Sequence, residues 1–441
     1  MKTLQELRRY PSAIAGMVII GIFVVVSIFT LMTISYDEAV RYWSPGSLAL
    51  RENLPRTARP VWFDWFTGDS LPRTIMVYDS QGTTTAEPIG SGMQSVQMSL
   101  PFSYSYDGFP SELTLFVSGT YTGSPRMSVV LERPDGQMVT INDGLALRTD
   151  HRYYISLDMD LRGAIGGPPH EVLFAVDMDA TDPRPLHGNY RMVLEVDVPE
   201  GTTLNARTVV YGQIYGYAGT DNLRRDLTVA LLWGTVVALV FGILGAIGAQ
   251  VSTFVLAGIG TWFGGKVDAI FQRITEVNLV LPMLPILMMF GYFYSRSIWL
   301  MLGIVIALNV FSGTMKTYRA MFLQAKEAPY FEAAQAYGTG NMRMVFRYLL
   351  PRLAPTLLPQ FVLIIPTFVF VEASLAVLGL GDPKLPTWGK MLNDALNSGA
   401  LYRGHYYWAL EPSILLMLVG SGFALLGFSL DRIFNPRLRS L

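Results

Sequence analysis

The sequence has no cysteine and few charged residues: 15% of its 441 residues are Asp, Glu, Lys or Arg. An ordinary soluble domain carries about 25%. Without cysteine the chain forms no disulfide and no thiolate metal site, so any part outside the cell is stabilised by its own core. The net charge of −1 gives no reason to expect nucleic acid as a partner.

Long apolar runs and a hydrophobic content of 51% predict an integral membrane protein. The first run, residues 12–34, follows the basic residues Lys2, Arg8 and Arg9. It exceeds the roughly 7–15 apolar residues of a signal peptide, which is the alternative interpretation. We therefore expect a transmembrane helix whose basic flank keeps the N-terminus cytoplasmic.

Residues 36–219 have a different composition, with short segments that alternate apolar and polar residues. This pattern predicts an extracytoplasmic antiparallel β-sandwich. The expected strands are 112–118, 126–132, 153–158, 171–177, 190–196 and 207–211. Turn signals lie at 134–136, 142–144 and 166–169. The aromatic residues Trp62, Phe63, Trp65 and Phe66 fit either the outer membrane surface or a packed turn.

Residues 220–441 form the predicted membrane core, with five further spans. These are expected at 227–262, 269–292, 298–322, 355–378 and 409–428. The loops that this order places inside carry most of the basic residues, which predicts that both termini are cytoplasmic. The predicted fold is thus an α-helical polytopic membrane protein of six transmembrane helices, with a cytoplasmic N-terminus and first helix at 1–35 and an inserted β-domain.

Sequence patterns typical of enzymes are incomplete. The segment Gly260–Lys266 has the spacing of a phosphate-binding loop, but Val267 replaces the required Ser or Thr. The acids Asp177, Asp179 and Asp182 lack the glycine and distal glutamate of a calcium loop. The spacing of the histidines is not that of a metal site. We expect no enzyme activity and neither metal nor cofactor in this chain.

Three polar residues inside apolar spans are candidates for a pathway-lining or conformational role: Glu276, Asn278 and Glu372. A lone acid at the middle of a membrane costs roughly 2.5–3.5 kcal/mol, so such a group faces protein or water. For Glu276 the alternative is a local ion pair with Arg273, one helical turn away.

A polar loop between two apolar runs contains two expected short helices. The first, Pro329–Gly338, exposes small residues such as Ala333 and Ala334, and Gly338 ends it in the left-handed conformation. The second begins near Asn341 and ends at Pro351. Its Met342, Val345, Phe346 and Leu349 are expected to face the membrane core, and Arg343 and Arg347 a partner.

These residues resemble a known family. Glu332-Ala-Ala, then Gly338 and Tyr348-Leu-Leu-Pro351, are similar to the EAA motif of ABC importer permeases; Tyr348 departs from the usual isoleucine. Four other segments resemble the C subunit of dipeptide and oligopeptide permeases: 219–226, 372–381, 386–389 and 435–438. Arg224 there replaces a glycine, and the long β-domain is a departure from that subunit.

The resemblance implies a type I ABC importer permease in the cell membrane that imports dipeptides or oligopeptides. Its partners would be a second, B-type permease, two ATPase subunits that bind ATP and Mg²⁺, and an extracytoplasmic solute-binding protein. Residues 326–351 would contain the coupling helix. The implied ATPase-coupling residues are Tyr330, Phe331, Glu332, Ala333, Ala334, Gly338, Arg343, Arg347 and Pro351. The alternative is a membrane-anchored receptor or adhesion protein with a ligand-binding β-domain, although an anchor needs only one span.

Overall fold

The computed structural model describes residues 10–44, 46–68, 70–121, 125–177 and 183–434. The chain divides into a helical unit, Met1–Ser44 with Val229–Leu441, and a β-rich unit, Pro45–Thr228. Asp179 and Asp182 of the calcium-like pattern lie outside the described residues, as does the segment 435–438. Among the described residues, no group of three His, Asp or Glu side chains could hold a metal ion.

The helical unit consists of several long helices and a set of shorter helices that connect them. Its helices are α1 Pro11–Thr33, α2 Tyr36–Trp43, α3 Leu227–Phe263, α4 Gly265–Val280, α5 Met283–Phe293, α6 Ile298–Val310, α7 Gly313–Lys326, α8 Pro329–Ala336, α9 Asn341–Leu380, α10 Trp388–Asn397 and α11 Tyr407–Phe434.

Four of these helices are each long and apolar enough to cross a membrane: α1, α3, α9 and α11. The predicted unbroken spans 269–292 and 298–322 are instead bent pairs, by 82° between α4 and α5 and by 45° between α6 and α7. The sharper break has a local cause, because Leu281 is extended ahead of Pro282, which has no N–H to continue the helix. The described helices therefore give four spans, or six if each bent pair crosses once.

Glycines allow the long helices to approach closely. A Cβ added to Gly242 of α3 would meet Val369 of α9 at 2.7 Å. Gly16 of α1 lies against the backbone of α11 at Gly422 in the same way, at 2.7 Å. The hydroxyls of Ser12 and Ser429 hydrogen-bond across this second contact at 3.0 Å. Such small-residue contacts are the usual means by which membrane helices pack.

The β-rich unit contains two antiparallel sheets. A four-stranded sheet has the order β1-β9-β4-β7 and a five-stranded sheet the order β2-β3-β8-β5-β6. The strands are β1 Ile75–Tyr78, β2 Thr83–Gly90, β3 Met93–Tyr104, β4 Glu112–Thr120, β5 Arg126–Glu132, β6 Met138–Ala146, β7 His151–Tyr153, β8 Gly188–Pro199 and β9 Thr203–Tyr211. Alternate residues of both sheets, such as Leu115 and Leu194, contribute to one hydrophobic core.

Two strand predictions are wrong. Residues 153–158 are mostly a 3₁₀ turn, Ile155–Leu157, and 171–177 begin in the short helix Pro169–Val172. The predicted turn at 142–144 lies inside β6, where the register to β5 shifts as at a β-bulge. In 153–158 the buried side chains are Tyr153 and Ile155, two positions apart, as they would also be in a strand. In 171–177 burial does not alternate, because Leu173, Phe174 and Ala175 are buried in succession.

The aromatic cluster before the strands is divided between core and surface. The indole N–H of Trp62 donates to the carbonyl of Tyr217 at 2.9 Å, and its ring lies 4.6 Å from that of Phe63. Trp65 and Phe66 are 82% and 78% exposed. The first pair therefore packs within the β-rich unit, whereas the second pair is free to contact another surface.

Candidate functional site

Helix α8 is a short helix with well-defined ends. Pro329 occupies its first turn, where a missing N–H costs nothing. At the other end Gly338 has φ +77°, its N–H donates to the carbonyl of Gln335 at 2.8 Å, and that of Thr339 donates to the carbonyl of Ala334 at 3.2 Å. These two bonds form a Schellman motif, which ends the helix at a fixed residue.

One end of the helical unit holds α8 through Trp262, near the end of α3. The Phe331 ring is 2% exposed and lies 6.1 Å from that of Trp262, whose indole N–H donates to the Asn341 side chain at 3.3 Å. The ammonium of Lys326 donates to the Trp262 carbonyl at 3.0 Å and lies 5.3 Å from its ring. The beginning and end of the polar loop are thus attached to the end of α3.

Burial of Phe331 corrects one expectation for this loop. The resemblance implies that Phe331, like Tyr330, is an ATPase-coupling residue. The Phe331 side chain belongs instead to the core of its own chain, with Phe322 and Leu349. Tyr330, 39% exposed, is the member of the pair that can contact a partner.

The segment after α8 also differs from the expectation. Met344, Val345 and Leu349 are buried, while Met342 and Phe346 are 57% and 52% exposed. The helix does not stop at Pro351, because α9 continues through this residue and is first interrupted near its end, at Gly379. Residues Met344–Leu349 form a π-helical turn, which is wider than an α-turn and accommodates the proline ring that follows it.

Because the resemblance implies that this loop couples to an ATPase subunit, we call a set of its exposed residues the coupling surface. It combines polar, small, aromatic and basic side chains from α8 and the start of α9. Its members are Tyr330, Glu332, Ala333, Tyr337, Met342, Arg343, Phe346 and Arg347. Tyr337 is 91% exposed and was missed from the sequence, although an aromatic residue next to a helix-ending glycine could have indicated it.

Asp268 and Arg319 stabilise the same end of the unit. The guanidinium of Arg319 in α7 donates two hydrogen bonds to the carboxylate of Asp268 in α4, at 2.7 and 2.6 Å. Bidentate pairs of this kind fix orientation as well as distance. Helices α3, α4 and α7 therefore meet α8 as one connected group.

Comparison with known proteins relates the helical core to a family of transport proteins. Residues 240–440 match the model of the family "Binding-protein-dependent transport system inner membrane component". The match covers 201 of the 441 residues, just under half of the chain, and lies within the helical unit. The dipeptide transport system permease protein of Bacillus subtilis is 29% identical over 224 residues, which cover 50% of this chain and 68% of that protein. The glutathione transport system permease protein of Pectobacterium atrosepticum is 29% identical over 232 residues, 51% and 73% of the two chains.

A third relative matches over a shorter region. The peptidoglycan transport system permease protein of Agrobacterium fabrum is 31% identical over 183 residues, 41% of this chain and 48% of that protein. The family match begins at residue 240 and leaves out the β-rich unit. The relatives therefore bear on the permease core, while the β-rich unit must be interpreted from its own structure.

In the permease core, Glu276 and Asn278 take part in local contacts. Glu276 is half exposed and pairs with Arg273 at 3.0 Å, the alternative that the sequence left open. The amide of Asn278 donates to the carbonyls of Leu308 and Phe311, at 2.7 and 3.1 Å. These carbonyls end α6, so Asn278 satisfies backbone groups that the 45° bend leaves without a helical partner.

Glu372 lies deep in the permease core and is 7% exposed. Its carboxyl group faces the hydroxyl of Thr387. The same Thr387 oxygen accepts from the N–H of Lys390 at 3.2 Å and so caps α10. Glu372 therefore lies between α9 and the start of α10, and its pathway-lining or conformational role stays a prediction.

The segment Gly219–Asp226 leads the chain from the β-rich unit into α3. Asp221 is fully buried and accepts hydrogen bonds from the N–H groups of Leu223 and Arg225, each at 2.8 Å. Arg224 stands where the resemblance has glycine, and its φ of 59° is one that glycine adopts freely. Its guanidinium pairs with Glu112 and lies 4.1 Å from the Tyr211 ring. The arginine thus fastens this segment to the four-stranded sheet.

The outer face of the four-stranded sheet carries a cleft of about 370 Å³. Four paired residues cross it from strand to strand: Tyr78, Arg207, Phe116 and Arg152. The Arg207 guanidinium lies 4.4 Å from the Phe116 ring, and Glu52 pairs with both arginines. The cleft is therefore both charged and aromatic, as are many protein-binding surfaces.

Proposed function

We propose that this chain is a permease subunit of an ATP-driven, binding-protein-dependent importer of short peptides. The family match of residues 240–440 carries the transport function. The peptide class comes from the relatives, among them the dipeptide and oligopeptide transport system permease proteins of Bacillus subtilis. A second permease would complete the pathway, and two separate ATPase subunits would bind ATP and Mg²⁺.

The coupling surface is the proposed contact with an ATPase subunit. Tyr330 and Tyr337 supply exposed rings, Ala333 allows close approach, and Glu332 offers a carboxylate to a basic group. Phe331 is buried within this chain, and its contact with Trp262 would transmit a displacement of α8 to α3. A packed aromatic contact can transmit such a movement, whereas a flexible loop would absorb it.

Two substitutions test this contact in vesicles that contain the complete transporter. Gly338→Pro removes the left-handed residue that ends α8, and Glu332→Arg reverses the exposed charge. Both should reduce ATP-driven peptide uptake at least tenfold. Asp37→Arg changes an exposed acid on α2 and should have little effect. Unchanged uptake with both coupling variants would show that α8 is not the coupling helix.

The β-rich unit is proposed to be an extracytoplasmic β-sandwich that receives the solute-binding protein or covers the entrance of the pathway. Two observations support this: the unit follows the first predicted span, and its four-stranded sheet presents a charged and aromatic cleft. Deletion of residues 45–217 should weaken binding-protein affinity and transport together. Retention of both would exclude either role.

The receptor alternative is not supported, since the relatives are transport permeases and the match covers the helical core rather than the β-rich unit. Co-purification gives a direct test. A tagged chain should retain a second permease and an ATPase in detergent, whereas a receptor with a membrane anchor would retain neither.

A further inference from the structure

Three helices of the permease core enclose an open cleft of about 360 Å³ with uncharged polar walls. Gln250 comes from α3, Thr314 and Thr317 from α7, and Gln360 and Thr367 from α9. Leu363 and Ile364 complete the lining, which includes no charged residue. The amides and hydroxyls of Gln250, Gln360 and Thr367 lie in the apolar helices α3 and α9, where such groups are costly unless they meet water or a polar partner.

Three of the polar side chains at the cleft have no hydrogen-bond partner among the described residues. Within the described part of the chain, the side chains of Thr314, Gln360 and Thr367 make no hydrogen bond. Several other hydroxyls in these helices donate to the carbonyl four residues earlier, which satisfies them without a ligand: Thr30, Thr33, Thr235, Thr253, Thr275, Ser374, Ser413 and Ser429. Thr317 at the cleft also donates to the carbonyl four residues earlier, that of Gly313, at 3.5 Å. The side chains that keep their hydrogen-bonding capacity free are therefore Thr314, Gln360 and Thr367.

Gln250 is held in place by a hydrogen bond to another side chain. Its side-chain oxygen accepts from the hydroxyl of Tyr318 at 2.6 Å, and the residue is 5% exposed. The bond leaves the Gln250 amide N–H₂ as a donor with a fixed orientation. Gln250 lies thirteen residues before the end of α3 at Phe263, so the cleft is about 20 Å along the helix from the coupling surface. That depth is well inside a hydrocarbon layer about 30 Å thick.

We propose that this cleft binds the backbone of the transported peptide, an inference that rests on the proposed function. Each glutamine offers a donor and an acceptor, as a peptide group does, and each threonine hydroxyl can serve as either. Recognition of backbone N–H and C=O groups is independent of peptide sequence. The absence of charge from the lining suits passage, since a buried ion pair would retain a charged cargo instead of releasing it.

The proposal is tested with the complete transporter in proteoliposomes and a mixture of uncharged dipeptides to pentapeptides, measured by mass spectrometry. The double substitution Gln360→Met with Thr367→Val keeps the side-chain volumes approximately but removes the amide and hydroxyl groups that would hydrogen-bond to the peptide. It should lower kcat/KM for uptake about tenfold, while subunit assembly and basal ATP hydrolysis stay within twofold of the original. The matched pair Gln360→Asn with Thr367→Ser retains amide and hydroxyl and should recover most of the uptake.

Three results would overturn the proposal. Normal uptake by the Met and Val variant would show that the cleft does not contact the peptide. Loss of the second permease from that variant would show that the cleft is a contact between subunits. If the original transporter imports no peptide, the proposed function fails as well, whereas the first two results leave that function intact.

The absence of cysteine allows a second measurement on the same transporter. Thr367→Cys introduces a single thiol at the cleft, and Met417→Cys places one on an exposed position of α11. A charged maleimide should label Cys at 367 faster, and the peptide mixture with binding protein should slow that labelling. Equal rates at the two positions would show that the cleft is not a water-filled path.

Discussion

Arg224 holds a backbone conformation that costs a residue with a Cβ about 1–2 kcal/mol. The resemblance has glycine at this position, where no such cost arises. In this chain the side chain offsets the strain through Glu112, the Leu54 carbonyl and the Tyr211 ring. The three partners belong to the same β-rich unit. The chain differs from the family that it resembles in having a long β-domain and in having Arg224 in place of glycine. These two differences are linked, because the partners of Arg224 belong to that domain.

Two substitutions separate strain from contact. Arg224→Ala removes the contacts and keeps the strain, so we expect the β-rich unit to lose about 2–3 kcal/mol. Arg224→Gly removes both and should be about 1 kcal/mol more stable than the alanine variant. Hydrogen exchange of β4 and β9 in the purified full chain measures this. Arg56→Ala, which removes the more exposed partner of Glu112, should cost under about 1 kcal/mol. Equal stability of the two Arg224 variants would contradict the strain argument.

His170 makes the stability of the β-rich unit depend on pH. Burial lowers the pKa of His170 from its ordinary 6.5, although the nearby Glu171 and Glu112 oppose the shift and Arg162 adds to it. Its Nδ1 is buried without a hydrogen-bond partner among the described residues. The unfolded chain therefore binds the proton more readily, and stability falls as the pH drops below about 6.5.

We expect His170→Gln to flatten this dependence between about pH 7 and pH 5. Thermal unfolding of the purified chain across that range provides the measurement. His187, half exposed beside Asp107, supplies the control variant His187→Gln. If the slope of stability against pH is unchanged by His170→Gln but reduced by His187→Gln, then His187 and not His170 causes the pH dependence, and the prediction is wrong.

At the scale of elements, the proposed coupling by α8 depends on how firmly α8 is attached to α3. Trp262 provides three attachments: ring contact with Phe331, an N–H bond to Asn341, and a carbonyl bonded to Lys326. Trp262→Phe keeps a ring and loses the N–H, and should lower the number of peptides imported per ATP two- to threefold. Trp262→Ala removes the ring as well and should lower that ratio at least tenfold. An unchanged ratio in Trp262→Ala would show that α8 does not act through α3.

The bounds of α8 could be predicted because its signals are local. Pro329 at one end and Gly338 at the other act through their own backbone restrictions. The burial of Phe331 could not be predicted, because it depends on Trp262 about seventy residues earlier. Pro351 was interpreted as a stop by the same local rule, but the π-helical turn before it removes the clash. Local signals such as proline and glycine determine where a helix begins and ends, whereas long-range packing determines which side chains remain exposed.

The β-rich unit shows the same division. Alternation correctly indicated β4, β5, β8 and β9, which have one face in the core. It missed β2, whose residues Thr83–Gly90 are exposed on both faces and offer no hydrophobic period. The paired site at Glu372 and Thr387 was also only half predicted, since the partner lies beyond the end of α9.

At the scale of the whole molecule, the number of crossings depends on the bent pairs. If α4 and α5 together cross once, the residues after α5 emerge on the outer side. If the 82° bend makes them a re-entrant loop, the same residues return to the cytoplasmic side. The coupling surface then stays inside only if the second bent pair is also re-entrant. The two arrangements with a cytoplasmic α8 therefore differ in one observable, the side on which Tyr294 lies.

Single cysteines in this cysteine-free chain distinguish the two arrangements. Tyr217, Tyr294, Tyr337 and Tyr402 are at least 74% exposed and can each be replaced by Cys with little loss of packing. In intact cells a membrane-impermeant maleimide should label positions 217, 294 and 402, and position 337 only after permeabilisation. That result would establish six crossings with α8 inside. Labelling of 294 only after permeabilisation, with 217 and 402 unchanged, would leave four crossings. Labelling of 337 in intact cells would place α8 outside, where ATP-driven coupling is impossible.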